Sequence, residues 1–304
     1  MNLSLCCISL KLQEQGYKFQ TMTYTRFASL PRKQALEILS ARILNNFEVT
    51  GEIIQYCHDS GIKGYRLSSG LTPVINHPSV NISLSELPNS EKIYNEITNV
   101  KNIIKDTGVR ISSHPSEYIS LTNPNGNVVS NSIRDLEQHG EIFDLLDLPQ
   151  SHWSPLNIHC RQDGDAPKVF QEFAKNYAKL SDSVKKRLVI EINDNKDGTW
   201  HIPNLIKYFY DKLGLPITFD SLHQKFCHGS LTEEQAFNNA YDTWDTTPLF
   251  HYSEGVDGTR KHADYATGVP NNYDKEVYWD CELKQKDLAI EQIFQRLKTT
   301  LNNK

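Results

Sequence analysis

The sequence predicts a (β/α)₈ barrel, and three observations carry that prediction. Eight short β-branched or apolar runs recur along the chain, most segments between them have helical periodicity, and titratable residues stand repeatedly just after the runs. The runs are Leu3–Ile8, Ile62–Leu67, Val109–Ser112, Leu156–Cys160, Leu188–Ile192, Pro216–Phe219, Pro248–Tyr252 and Val277–Leu283, each of a length that suits a buried strand.

Between the first two runs, Pro31–Asp59 places Ala35, Leu36, Ile38, Leu39, Ile43 and Leu44 at helical spacing and has room for two helices. Leu84–Thr107 follows a serine and glutamate arrangement at Ser83, Ser85 and Glu86 that reads as a capping box. Further helices are expected over Ser130–Leu146, Ala166–Leu180, Pro203–Lys212, Thr232–Trp244 and Lys286–Leu301. Alternating strands and helices imply parallel pairing through right-handed crossovers, and eight strands with about eight helices favour a closed barrel over an open sheet. One domain spanning 1–304 accommodates this plan. No glycine-rich phosphate loop follows any run, so no nucleotide cofactor is expected. Ser253–Lys275 carries no periodic pattern, and a loop of that length in a compact domain is usually functional.

Composition narrows the class. The chain has 304 residues, 38% of them hydrophobic and 23% charged, with a net charge of −5. That balance describes a soluble protein without a general affinity for nucleic acid, and it leaves room for a local basic groove. The six cysteines form no CxxC pair, which argues against a thiolate zinc site and for a reducing compartment. No apolar run approaches the ~20 residues of a membrane span. The amino terminus lacks the features of a signal peptide, so a cytoplasmic protein that is not secreted is expected.

In a (β/α)₈ barrel the chemistry lies at the carboxyl ends of the strands. Here those positions hold His114, His159, Glu191, Asp220 with His223, His251, and Glu282, and the long loop after the seventh run adds His262. Each residue alone reads as a cap or a hydrogen-bonded structural group, and His58, His139, His152 and His201, which lack this strand-end context, read as ordinary surface or packing residues. Together they place five imidazoles and three carboxylates at one barrel mouth. Gathering them there without a cation would cost on the order of several kcal/mol per unpaired charge. Two or three divalent ions are the simplest compensation. Imidazole and carboxylate without thiolate suits Zn²⁺, Mn²⁺ or Fe²⁺ better than Ca²⁺. Such a cluster suits phosphoester hydrolysis, in which the ions activate water and neutralise phosphate oxygens.

These residues fall within stretches that resemble the UV damage endonucleases, relatives of the endonuclease IV class. The stretches are Gly64-Tyr65-Arg66-Leu67-Ser68-Ser69, Asn76-His77-Pro78, Ile111-Ser112-Ser113-His114-Pro115-Ser116-Glu117-Tyr118 and Asn157-Ile158-His159. They continue with Ile190-Glu191-Ile192-Asn193-Asp194, Phe219-Asp220-Ser221-Leu222-His223, Phe250-His251-Tyr252-Ser253, Lys261-His262-Ala263 and Cys281-Glu282-Leu283-Lys284-Gln285-Lys286. The resemblance implies incision of double-stranded DNA immediately 5′ of pyrimidine photodimers, with abasic sites as a further substrate and Mn²⁺ as the activating ion. It implies that His114, His159 and Glu191 hold one ion, that Glu191, Asp220, His251 and Glu282 hold a second, and that His223 and His262 hold a third. Glu117 and Tyr118 take the positions of a wedge that enters the duplex at the lesion. His77 is implied as a phosphate-contacting or outer residue, and Lys284 and Lys286 as contacts to the DNA backbone. The sequence departs from the resemblance in three places: Glu117 replaces a glutamine, Cys6-Cys7 replaces a glycine and tyrosine, and Leu249 stands where some members carry a lysine. A monomer is expected.

Two other functions are compatible with the same barrel. A metal-dependent sugar isomerase or epimerase shares the ligand chemistry but has no use for the additional imidazoles or the wedge. A catalytically inert DNA-binding barrel has no use for the ligands. An abasic-site endonuclease of the endonuclease IV kind is the nearest alternative.

Overall fold

The computed structural model describes residues 1–302. Eight strands, β1 (Asn2–Cys6), β2 (Gly64–Leu67), β3 (Arg110–Ser113), β4 (Leu156–His159), β5 (Leu188–Glu191), β6 (Ile217–Thr218), β7 (Leu249–Tyr252) and β8 (Tyr278–Cys281), pair in parallel in the order β6-β5-β4-β3-β2-β1-β8-β7. A parallel bridge between Asp220 and His251 joins the two ends of that sheet, with His251 N–H donating to Phe219 O at 2.9 Å and Ser221 N–H to His251 O at 3.1 Å. The barrel expected from the alternation is present, and two of the candidate ligands form the seam that closes it.

Because side chains alternate along a strand, Leu3 and Leu5 of β1 face the surrounding helices while Ser4 and Cys6 face the barrel interior. Gly64 of β2 lies opposite Ser4, and a Cβ there would collide with the serine hydroxyl, so the close approach of β1 and β2 requires glycine. The outward residues join one large apolar cluster with the helices, whereas buried Cys6, Val189 and Leu249 stand apart from it. The barrel interior is unusually polar for this fold, in which branched apolar layers dominate. It holds Ser4, Arg66, Ser112, Asn157, Thr218 and Asp280, all buried.

The end of the barrel opposite the carboxyl ends of the strands is sealed by Arg110. Its guanidinium lies 4.4 Å from the ring centre of Trp153 and 4.8 Å from that of Tyr278. It donates to the carbonyls of Trp153 at 2.7 Å, Thr247 at 2.8 Å and His152 at 3.2 Å. Burial lowers its pKa to about 10, which leaves it charged at neutral pH.

Most expected helices form, with instructive differences. Arg32–Asp59 is one helix of 28 residues rather than two, because no proline or cap interrupts it, and it packs against Ser90–Thr107. The capping box at Ser83 and Glu86 is present but starts only a 3₁₀ turn, Leu84–Glu86; Pro88 separates it from the helix proper, which begins at Ser90. Gly126–Leu145 begins four residues earlier than expected, capped by the Asn125 side chain. The expected Pro203–Lys212 helix is split by a π turn at Ile206–Tyr210. Ala166–Tyr177, Glu233–Tyr241 and Lys286–Asn302 lie where periodicity put them. The short helices Leu10–Glu14, Tyr24–Ala28 and Asp182–Lys185 have too few residues to show a period. Among the described residues no helix is long and apolar enough to cross a membrane.

No α-helix connects β7 to β8, only a 3₁₀ turn at Val256–Gly258. The long loop there is ordered by one carboxylate: Glu254 accepts from Thr267 N–H and Thr267 Oγ1, both at 2.8 Å, from Gly268 N–H at 3.0 Å and from Tyr252 OH at 3.0 Å. Burial opposes its ionisation, but those donors outweigh burial and hold its pKa below the ordinary carboxylate value. The resulting stabilisation is complete above the unfolded-state pKa and is lost as pH falls through the lower folded-state value. Glu254→Ala should therefore make the 253–277 loop cleavable in limited proteolysis at neutral pH, while the unsubstituted loop becomes cleavable only on acidification below the ordinary carboxylate range. Equal resistance of both forms at neutral pH would contradict this role.

Candidate metal centre

Each candidate ligand reaches the mouth because its strand ends there in the inward register. His159 pairs with Glu191 across β4 and β5, and His251 pairs with Asp280 across β7 and β8. Asp220 lies two residues beyond β6, and its Oδ1 accepts the backbone N–H groups of Leu222 and His223, each at 2.7 Å. That cap starts the short helix His223–Phe226 and turns His223 inward, where its Nδ1 lies 3.0 Å from Ile192 O. His114 follows β3 directly. His262 is delivered by the β7–β8 loop through an antiparallel bridge to Gly255, and its Nδ1 lies 2.6 Å from the backbone oxygen of Glu282.

Glu191 is the hub. Its Oε2 lies 3.1 Å from His114 Nε2 and 3.4 Å from His159 Nε2, and it also accepts from Asn157 Nδ2. Its Oε1 lies 3.2 Å from His223 Nδ1 and 3.1 Å from His251 Nδ1. Glu282 stands beside it, with Oε1 at 3.4 Å from His251 Nδ1 and Oε2 at 3.8 Å from His262 Nε2. Three sets of side chains have ligand atoms within 4.8 Å of one another: His114, Glu191 and His251; His159, Glu191 and His223; and Asp220, His251 and Glu282. All eight sequence-designated ligands are thus gathered at one mouth. The division among sets differs from that implied by the resemblance, since His223 groups with His159 and Glu191, and His262 stands against Glu282.

The donor chemistry fits divalent cations. Glu191 Oε1, Asp220 Oδ2, His159 Nδ1 and both nitrogens of His251 are buried without an aligned hydrogen-bond partner, although several lie close to opposite charges. Buried polar atoms are rarely left in that state, and a cation satisfies lone pairs that point together. The electrostatics agree. Burial opposes charge on Glu191, yet electrostatic coupling to the surrounding imidazoles, His159 and His251 foremost, with His114 and His223 beside them, holds its pKa well below the usual value. Burial likewise opposes ionisation of Glu282, and Arg66 and His251 override it, holding its pKa low. Burial lowers the His159 pKa to about 3, leaving a neutral imidazole with a lone pair to offer. Burial raises Asp220, partly offset by His223.

The expected DNA-facing residues divide. Tyr118 is 81% exposed, the most exposed large hydrophobic side chain among the described residues, on a turn four residues after His114. Glu117, next to it, lines the same cavity of about 320 Å³ as His114, His159, Glu191, His223 and Glu282. His77 does not line that cavity. Its ring stacks on Tyr24 at 4.0 Å, its Nδ1 accepts from Ser79 N–H at 3.2 Å, and it borders a neighbouring groove with Tyr118. Lys284 is exposed and Lys286 half-buried at the start of the last helix, beyond the candidate ligand Glu282.

Several residues at the site carried no assigned role. Asn157 donates to Glu191, Arg66 Nη1 donates to Glu282 Oε1 at 2.5 Å, and Arg161 and Cys7 line the cavity. Strand alternation contains the signal for Asn157, two residues before His159, and for Asp280, two before Glu282, because residues two apart share a face.

A closed parallel barrel with its ionisable groups gathered at the carboxyl ends of the strands is the architecture of a barrel enzyme. The chain belongs to the UV-endonuclease UvdE family, whose model matches residues 1–303. A UV DNA damage endonuclease of Nostoc sp. (strain PCC 7120) is 30% identical over 299 residues, covering 95% of this chain and 88% of that protein. A second from Bacillus cereus (strain B4264) is 29% identical over 300 residues, covering 91% and 89%. Among solved structures, that of SacUVDE aligns with a TM-score of 0.82 at 23% identity over 99% of both chains. Endonuclease IV from Thermus thermophilus aligns at 0.57 with 12% identity, covering 84% of this chain and 95% of that one. The 3-keto-D-glucoside 4-epimerase of E. coli aligns at 0.54 with 13% identity, covering 84% and 92%. These structural likenesses establish the barrel; endonuclease and epimerase share it, so fold does not choose between them.

Replacement of Glu191 by Gln removes the charge on which four imidazoles converge. Metal analysis of the protein after Mn²⁺ loading and desalting should show the loss of at least one bound ion, with the helical circular-dichroism signal kept. Full metal content in Glu191→Gln would contradict the placement of Glu191 as a shared ligand.

Proposed function

We propose that this protein is a metal-dependent endonuclease that hydrolyses the DNA phosphodiester immediately 5′ of UV photoproducts, both cyclobutane dimers and 6-4 photoproducts. The observation that carries this reading is the juxtaposition of Tyr118, almost fully exposed, with a cavity lined by imidazoles and carboxylates. An enzyme acting on a small sugar has no use for an aromatic ring standing in solvent at the rim. A duplex whose stacking is already weakened has one, because the ring replaces the stacking lost when damaged bases leave the helix. Membership in the UV-endonuclease family supports the same substrate.

His114, His159, Glu191, Asp220, His223, His251, His262 and Glu282 would hold two or three divalent ions, with Mn²⁺ expected and Zn²⁺ the alternative. When bound, the ions supply Lewis-acid activation of water and neutralise charge on the phosphate. The chain's own groups prepare the site. Glu191 faces two ligand sets and keeps its charge through its imidazole neighbours. Asn157 fixes the Glu191 carboxylate from below by a hydrogen bond, and Arg66 does the same for Glu282. Glu117 and Tyr118 enter the duplex, Glu117 accepting hydrogen bonds from base edges. Lys284 and Lys286 act as point charges toward backbone phosphates.

With Mn²⁺, the purified protein should nick UV-irradiated supercoiled plasmid and leave unirradiated plasmid closed. Equal nicking of both, or of neither, would overturn the proposal, and preferential cleavage of an abasic-site oligonucleotide run alongside would move the assignment to abasic repair. Base–aromatic stacking is worth about 1–3 kcal/mol, so Tyr118→Ala should lose roughly fivefold to a hundredfold in cleavage of damaged DNA while retaining its full metal content. Loss of metal together with activity would show that Tyr118 supports the site rather than reads the lesion.

A further inference from the structure

Beneath the mouth lies a buried ionic pair for which the proposed reaction has no direct task. Asp280 is wholly buried on β8, two residues before Glu282, and Arg66 is buried on β2. Arg66 Nε lies 3.7 Å from Asp280 Oδ2, while Nη1 of the same guanidinium donates to Glu282 Oε1 at 2.5 Å. Ser112 Oγ donates to Asp280 Oδ2 at 3.4 Å. The same oxygen stands 3.9 Å from Nε2 of His251, whose Nδ1 faces Glu191 Oε1 at 3.1 Å and Glu282 Oε1 at 3.4 Å. His251 is fully buried, and the main chain offers neither ring nitrogen an aligned partner.

We infer that Asp280 is the positioning residue for His251, and that Arg66 ties it to Glu282 so that the two ligands are set as one unit. The inference rests on the reading of the mouth as a metal centre. An imidazole can present a lone pair at only one nitrogen when neutral, and the proton must sit on the other. Asp280 is the carboxylate that Nε2 faces, so it draws the proton there and leaves the Nδ1 lone pair directed at Glu191 and Glu282. A carboxylate behind a ligating histidine fixes tautomer and ring orientation and raises ligand basicity. An aspartate buried merely for packing would be costly; Arg66 compensates it, and the same guanidinium orients the neighbouring ligand. Asp280 touches no reacting atom in this arrangement and acts only through His251.

The test uses the metal alone and needs no DNA. Mn²⁺ is titrated into the metal-free full chain and followed by the electron paramagnetic resonance of free Mn²⁺, for the unsubstituted protein, Asp280→Asn, Asp280→Glu and Arg66→Gln. Asp280→Asn should bind at least one Mn²⁺ about 10- to 100-fold more weakly, Asp280→Glu should recover most of that loss, and Arg66→Gln should show a loss in the same direction. In nicking assays the Asp280→Asn defect should lie in kcat with KM for DNA unchanged, and raised Mn²⁺ should restore it, which a merely structural defect would not allow. Asp280→Asn binding within twofold of the unsubstituted protein overturns the inference alone. Should Asp280→Asn fail to fold by circular dichroism, Arg66→Gln decides: unchanged affinity there overturns the inference. Absence of Mn²⁺ binding by the unsubstituted chain overturns the metal reading of the mouth, and the inference with it.

Discussion

The structure depends on one constraint: a carboxylate, Glu191, kept charged while wholly buried among four imidazoles. Burial of an isolated carboxylate would raise its pKa until it took up a proton. Here the imidazoles of His114, His159, His223 and His251 lie within 3.1 to 3.4 Å of its two oxygens and reverse that tendency. Four different strand ends supply those imidazoles, so satisfying this single group draws β3, β4, β6 and β7 to a common point. The barrel and the site are in that sense one structure.

The seam between β6 and β7 illustrates the coupling. β6 is only two residues long, and the barrel closes through the bridge of Asp220 with His251, both of them ligand candidates. Asp220 spends one oxygen on the backbone N–H groups that start the turn carrying His223, and leaves the other without a hydrogen-bond partner near His251 and Glu282. One residue therefore closes the barrel, positions a neighbouring imidazole and offers a lone pair. Such residues cannot be divided into structural and functional groups.

The barrel was legible in the sequence because parallel strands buried on both faces read as short apolar runs, and because each ended on a residue that a core cannot hold unpaired. The candidate ligands were legible for the same reason: His114, His159, Glu191, Asp220 and His251 stand directly after apolar runs, where a polar residue is conspicuous. What lay behind them was not. Asp280 sits inside a strand, where an isolated acid looks like noise until alternation and the facing cation Arg66 are known. The continuity of Arg32–Asp59 is hard to read because its apolar stripe is broad and irregular, and a segment of that length has room for two helices even though no internal cap divides it. For His77 the motif marks a position along the chain but not the direction of the ring, which stacks on Tyr24 beside the groove that Tyr118 also borders.

The sealing of the barrel floor by Arg110 has a consequence for how such a chain can change. From floor to mouth, the interior carries Arg110, Asp280, Arg66 and Glu282, so that cation and anion alternate along the axis. Arg110, Asp280 and Arg66 are buried, and only Glu282, at the mouth, is partly open to solvent. Neutral drift at one rung therefore leaves its neighbour with a charge of the wrong sign for its surroundings, and a viable lineage must alter two together or neither. In related chains the column should behave as a single inherited character: kept whole, or replaced whole by an apolar filling.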